Sequence, residues 1–307
     1  MKFNRIVVVF SPKSTRAYAY KRIRPLLVDY QMRYKIGLKE VRLVDTPYFV
    51  GRDLISTELK DGDLVLACGG DGTAQVTFDA VYCSGVDATF ATVPLGNSND
   101  LSVALNGNHR NPKLIMAQSP REINPINIYI NGKRQFALAS YITFGATTVL
   151  VDYLNNAASR QRRRQFRALS PALSLPLTKL GEISRCINEL EFTDFERDGK
   201  MWRDDSIGFF AINAAHNILR LPKNILTADS EFFFHHALTK GRNLAGKIIM
   251  AGAWAVRFPG EFTNLEKLVL NEATDLVANV AGDNIALSAV KNIAAVRSER
   301  SVKVLLH

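Results

Sequence analysis

The sequence predicts an N-terminal α/β domain built on a parallel sheet, followed by a C-terminal antiparallel β-sandwich. Two observations carry this expectation. Up to about residue 122, short β-branched runs alternate with longer segments of helical spacing, the pattern of strand–crossover–strand units. Beyond that point, alternating apolar and polar runs flank Asn131-Gly132 and Asp198-Gly199, the chemistry of tight hairpin turns. A length of 307 residues suits about two domains.

The first four strands are read at residues 5–10 (RIVVVF), 40–45 (EVRLVD), 63–68 (DLVLAC) and 88–94 (ATFATVP). These runs are apolar on both faces, as strands covered by helices on both sides should be. The segments TRAYAYKRIRPLLVDYQMRY and GTAQVTFDAVYCS have helical spacing, and Pro25 is expected to kink the first. In the second half, SEFFFHHAL, LEKLVL, DLVANVAGDNIAL and SVKVLLH read as further strands, with helical inserts at about 148–182 and 238–257. The expected domains are residues 1–122 and 123–290, with 291–307 a candidate to complete the first. A cleft between two such units is a common place for a ligand.

Composition narrows the function classes. The chain is 47% hydrophobic and 22% charged, a globular balance, and no apolar run approaches the length of a membrane span. The start, MKFNRIVVVFSP, reads as a first strand rather than a signal peptide. Cys68, Cys83 and Cys186 are scattered and odd in number, which argues against a disulfide framework and for a reducing, cytoplasmic setting. The five histidines show no metal-ligand spacing. The net charge of +10 points to an anionic partner, whether membrane surface, nucleic acid or substrate, without choosing among them.

Two stretches carry the chemistry. In DLVLACGGDGTAQV, a buried strand ends in Gly69-Gly70-Asp71-Gly72-Thr73 before a helix. Glycines permit close backbone approach, and exposed N–H groups with a helix N-terminus favour an anion such as a phosphate. Thr73 can cap that helix or bond a phosphate. Asp71 beside a phosphate becomes useful if it holds Mg²⁺, a ribose hydroxyl or a proton in transit. The plain alternative is an ordinary glycine-rich turn. The second stretch, TVPLGNSNDLSVAL, repeats the arrangement one βα unit later: a strand ends at Pro94, Gly96 turns, and Asn97 to Asp100 open a helix. Capping alone explains any one of these residues, but two successive strand ends place both turns on one sheet edge, where α/β ligands sit.

Together these stretches resemble the diacylglycerol kinase catalytic family, which includes soluble bacterial lipid kinases and sphingosine kinases and shares its fold with NAD kinases. The family signature is Gly-Gly-Asp-Gly-Thr followed by Pro-x-Gly-Thr-x-Asn-Asp. Here it reads Gly69–Thr73, then Pro94, Gly96, Asn97, Asn99 and Asp100, with Asn97 in place of threonine. The resemblance implies ATP in the interdomain cleft, Mg²⁺, and transfer of the γ-phosphoryl group to the hydroxyl of diacylglycerol or a related lipid alcohol. It implies nucleotide contacts from Gly69, Gly70, Gly72, Thr73, Gly96, Asn97 and Asn99, and metal contacts from Asp71 and Asp100. Asp71 would lie by the transferred phosphate, and Asp283 is the candidate general base.

The chain also departs from the family. A late Asp-Gly-Glu is replaced by Ala281-Gly282-Asp283, and the glycine of the opening Asn-Pro-x-Ser-Gly is absent, leaving Ser14 and Thr15 to offer hydroxyls to a phosphate. A catalytically silent nucleotide- or lipid-binding homologue, or an NAD kinase-like enzyme, are the alternatives. The stretch RQRRRQFRALSPALSLPLTKLGEI places Arg162, Arg163, Arg164, Phe166 and Arg167 together. Basic residues beside apolar ones suit peripheral contact with an anionic membrane, and a solvated helix face is the alternative. Nucleic acid is not expected as a partner; a homodimer is compatible with the sequence.

Overall fold

The computed structural model describes residues 3–96, 99–106, 109–145, 148 and 267–306, together with five short strands between 194 and 263. Strands β1 (Arg5–Phe10), β2 (Gly37–Arg42), β3 (Asp63–Gly69) and β4 (Thr89–Pro94) are parallel, in the order β2-β1-β3-β4. Their apolar runs are buried on both faces in β1, β3 and β4. Helices α1 (Tyr20–Tyr34) and α5 (Pro112–Met116) cover one face through Ile23, Leu27, Ile115 and Met116. On the other lie α2 (Tyr48–Glu58) and α3 (Asp71–Ser84), through Ile55, Val76, Phe78 and Val81. Helix α4 (Asp100–Asn106) contributes Leu101 and Leu105 to that same core.

Strand β5 (Ser119–Ile123) forms the far edge of this sheet, and the slot beside β4 is filled from the other end of the chain. Strand β16 (Val302–Leu306) runs parallel to β4 and antiparallel to β5. Residues 291–297 remain in the second sheet.

The second half is antiparallel. The hairpin β6 (Ile126–Ile130) and β7 (Lys133–Leu138) turns at Asn131-Gly132, with φ of 50° and 76°. Positive φ at both central residues is what a type I′ turn requires. After β8 (Tyr141–Gly145) come β9 (Asp194–Arg197), β10 (Lys200–Arg203), β11 (Ser206–Asn213), β12 (Phe232–Leu238) and β13 (Glu261–Thr263). The long strands β14 (Lys267–Val280) and β15 (Asp283–Arg297) follow. Eight strands pair in the order β13-β12-β11-β8-β14-β15-β6-β7, while β9 and β10 make a separate ribbon.

Some boundaries differ from expectation. Strand β2 begins at Gly37, three residues before the expected start and ends at Arg42. It is an edge strand, so its solvent-facing side tolerates Lys39 and blurs the apolar run. Lys267–Leu270 of the expected strand LEKLVL and the segment DLVANV lie in one strand, β14, whose pairing with β15 shifts register between Val269 and Leu276. Helix α1 continues through Pro25. The expected helical inserts fall largely outside the described residues. Cys68 and Cys83 are free thiols.

The two sheets are joined by α3. Gln75 Nε2 donates to Ala137 O at 2.9 Å, and its Oε1 accepts the N–H of Ala139 at 3.1 Å and of Ser140 at 3.4 Å. One turn further, Asp79 Oδ1 accepts the N–H of Ala137 at 3.0 Å, and Oδ2 accepts the hydroxyl of Tyr48 at 3.2 Å. Both side chains are fully buried. Arg52 lies 3.7 Å from Asp79 and donates to Gln135 O at 2.9 Å. Burial pushes Asp79 up to about 6, against the opposing pull of Arg52 and its hydrogen bonds.

Removing the Gln75 carboxamide leaves backbone groups of the β7–β8 connection unpaired, so Gln75→Ala should lower unfolding free energy by about 1–3 kcal/mol in urea titration. Asp79 holds its proton to a higher pH in the folded chain (about 6) than unfolded (3.8). Its contribution is therefore fully present below pH 3.8 and is lost as pH rises through about 6. Relative to Asp79→Asn, the parent should lose on the order of 2 kcal/mol between pH 4 and 7. Parallel pH–stability curves for the two proteins would contradict this.

Candidate functional site

Three loops meet at the carboxyl edge of the first sheet. The loop after β1 donates from Ser11 N to Cys68 O at 3.3 Å and from Arg16 N to Leu95 O at 2.8 Å. The loop after β4 donates from Leu95 N to Gly69 O at 2.7 Å. Ser14 and Thr15 lie in the loop after β1, between its anchors at Ser11 and Arg16. A Cβ on Gly96 would collide with the Gly70 backbone, and one on Gly69 with the Thr73 side chain. The two turns therefore pack main chain against main chain. Asn97 lies outside the described residues.

Asn99 adopts a left-handed conformation, φ 54°. Its Oδ1 accepts the N–H of Gly96 at 2.7 Å and its Nδ2 donates to Gly96 O at 3.0 Å. This buried amide thus shapes the second turn from within. Asn is among the few side-chain-bearing residues that tolerate positive φ, which explains its place here.

Asp71, the first residue of α3, reaches across to the start of α4, where its Oδ1 accepts the N–H of Leu101 at 3.1 Å. Burial, and then the charge of Asp100, push Asp71 up to about 7, while the N–H groups of Asn99, Asp100 and Leu101 pull it down. Two neighbouring carboxylates, each only partly exposed, are an arrangement that a cation relieves. Among the described residues no group of three or more His, Cys, Asp or Glu is arranged to hold a metal. The Asp71–Asp100 pair nevertheless suits Mg²⁺, which takes one or two carboxylates and completes its shell with phosphate and water.

The second sheet supplies the third acid. Strands β14 and β15 are joined by Ala281-Gly282, with φ of 49° and 99°. The turn is braced by Asn279, whose Nδ2 donates to Asn284 Oδ1 at 2.8 Å and whose Oδ1 accepts the N–H of Gly282 at 3.2 Å. Asn284 Nδ2 in turn donates to Thr148 O at 2.9 Å. The turn delivers Asp283 onto α3, where its carboxylate occupies the space a Cβ on Gly72 would need. The site therefore brings together Asp71, Gly72, Asp100 and Asp283, residues spread over more than two hundred positions of the chain.

Sequence reasoning missed Tyr141, whose phenol is pushed well above its ordinary value by burial and by the charges of Asp71, Asp100 and Asp283. Nothing local in SYITFG marks it. It also missed Gln75 and Asp79, for which a signal existed: two polar residues four apart in the otherwise apolar helix TAQVTFDAVY. The basic stretch with Arg162, Arg163, Arg164, Phe166 and Arg167 lies outside the described residues. No helix among the described residues is long and apolar enough to cross a membrane.

Gly96→Ala sets a methyl against backbone, which cannot step aside, and should cost about 1–3 kcal/mol of stability. For Gly72→Ala the nearest atoms are those of the Asp283 carboxylate, the end of a side chain. Its cost should be smaller and should fall further when Asp283→Ala is added, a coupling that a double-mutant cycle of urea unfolding measures. Additive effects would place Asp283 elsewhere.

Residues 5–128 match the family model of the diacylglycerol kinase catalytic domain. No curated protein matches the sequence. Among solved structures, the chain is similar to a candidate diacylglycerol kinase from Bacillus anthracis strain Sterne, with TM-score 0.61 at 13% identity over 100% of this chain and 99% of that one. A second structure described in the same way gives TM-score 0.62 at 12% identity, covering 100% and 98%. A third, described as a diacylglycerol kinase from the same strain, gives 0.58 at 12%, covering 100% and 98%. At such identities the structural likeness is one of fold, and it extends from the first strand to the last. The stretch that matches the diacylglycerol kinase catalytic-domain model, residues 5–128, holds both glycine turns and Asp100.

Proposed function

We propose that this protein is an ATP- and Mg²⁺-dependent lipid kinase that phosphorylates the hydroxyl of diacylglycerol or a related long-chain alcohol. The observation that carries the reading is the Asp283 carboxylate seated against Gly72, with Asp71 and Asp100 at the same helix ends. Phosphoryl transfer depends mainly on positioning and charge neutralisation. The first glycine turn opens at the N-terminus of α3, whose main-chain N–H groups favour a phosphate, and Ser14 and Thr15 add hydroxyls from the neighbouring loop. Asp71 and Asp100 would hold Mg²⁺, which when bound offsets the charge of the phosphates. Asp283 accepts the proton of the attacking lipid hydroxyl.

A second reading, binding of nucleotide or lipid without turnover, is favoured by one feature. Ala281 stands in the turn where the family carries an aspartate, so one carboxylate fewer surrounds the acceptor.

Incubating the protein with γ-labelled ATP, Mg²⁺ and a total lipid extract should yield a labelled phospholipid. ATP binding in calorimetry with no labelled lipid would favour the second reading. Asp283→Ala should retain ATP affinity while transfer falls by at least about 100-fold; equal rates would remove Asp283 from the chemistry.

We further infer that the stretch around Arg162–Arg164 docks on an anionic membrane, each basic residue contributing about 1 kcal/mol near the surface. Replacing Arg162, Arg163 and Arg164 with Gln should reduce sedimentation with phosphatidylserine vesicles. Unchanged sedimentation would leave the stretch as a solvated face.

A further inference from the structure

The hydroxyl of Tyr141 stands outside the matched residues, which end at 128, and outside every motif that the sequence displays. Tyr141 opens β8 between two anchors. On one side, Ser140 Oγ donates to Gln75 Oε1 at 3.2 Å, tying the strand to the helix that begins with Asp71. On the other, the carbonyl of Tyr141 accepts the N–H of Ala281 at 3.2 Å, tying it to the turn that presents Asp283. The residue therefore bridges the elements that carry the two acids.

The pleat sets the direction of its ring. Ile142 and Phe144 are fully buried in the core of the second sheet, and successive strand residues point to opposite faces. Tyr141 accordingly leaves on the side away from that core, and it remains partly open to solvent. The charges of Asp71, Asp100 and Asp283, from α3, α4 and the β14–β15 hairpin, all bear on its phenol. Its anchors to Gln75 and Ala281 place Tyr141 beside the elements that carry these carboxylates.

A space bordered by three carboxylates repels an anion unless donors offset them. Ionised carboxylates only accept hydrogen bonds, whereas a phenol donates without carrying charge. An ordinary phenol keeps its proton at neutral pH, so the donor is available there. We propose that Tyr141 is the side-chain donor that contacts the terminal phosphate of a nucleotide bound at the glycine rim. The proposal rests on the nucleotide reading above and adds a residue that distinguishes a triphosphate from a diphosphate.

The test is calorimetric titration of the parent and Tyr141→Phe with MgATP and with MgADP, with thermal unfolding to check the fold. A hydrogen bond to a charged group should make ATP binding about 10-fold weaker or more in the variant, with ADP changed less than about 3-fold. Equal loss for both nucleotides, or no loss, overturns the role of Tyr141 and leaves the nucleotide site standing. A parent that binds neither nucleotide overturns both. Should the variant not fold, iodination of the parent mapped by mass spectrometry decides the matter. ATP should shield Tyr141 more than ADP does, and equal labelling under the two nucleotides overturns the proposal.

Discussion

Gln75 and Asp79, one turn apart on α3, satisfy the backbone of Ala137, Ala139 and Ser140, and this docking decides where the second sheet stands over the first. The joint is buried, so every hydrogen bond undone inside it leaves a polar group without water to replace its partner. Neighbouring contacts reinforce the same alignment. Arg52 donates to the carbonyl of Gln135, and Asn127 of β6 donates to the hydroxyl of Tyr82 at 3.2 Å. Because α3 also begins at the glycine turn, one rigid helix carries both the phosphate rim and the socket for the other sheet. The seating of Asp283 at Gly72 follows from that shared support.

Local backbone cost gathers at this rim. Asn99 and Ala281 both hold positive φ, and Asp71 is a partly buried carboxylate beside a second acid. Such features persist only where the surroundings over-determine them. Here the surroundings are identifiable: the Asn99 amide closed on Gly96, the Asn279–Asn284 brace under the hairpin, and helix N–H groups turned toward Asp71. Each holds an acid or a turn in place before any ligand arrives, which is the preorganisation that phosphoryl transfer draws on.

Much of this was legible in the sequence, and the illegible parts share a cause. The strand–turn–helix units at Gly69–Thr73 and Pro94–Asp100 are local, so glycine content and capping residues revealed them. The hairpin at Asn131-Gly132 was equally local. The approach of Asp283 to Gly72 depends on a contact between residues 211 positions apart, and only the family resemblance suggested it. Tyr141 gave no sign, because its meaning comes from the three acids around it and not from its neighbours in the chain. The early start of β2 and the fusion of two expected strands into β14 reflect an exposed edge and an irregular ladder, both of which break the alternation that periodicity relies on.

The slot between β4 and β5 is filled by β16, about two hundred residues downstream of β4. During synthesis at about 5–20 residues per second, β4 would wait roughly 10–40 s for its partner. Throughout that interval the strand leading into the second glycine turn presents an unpaired apolar flank to the crowded surroundings of the ribosome. The nascent chain is thus open to mispairing with other chains until β16 has emerged, and maturation of the rim is timed by that distant strand rather than by the residues that form it.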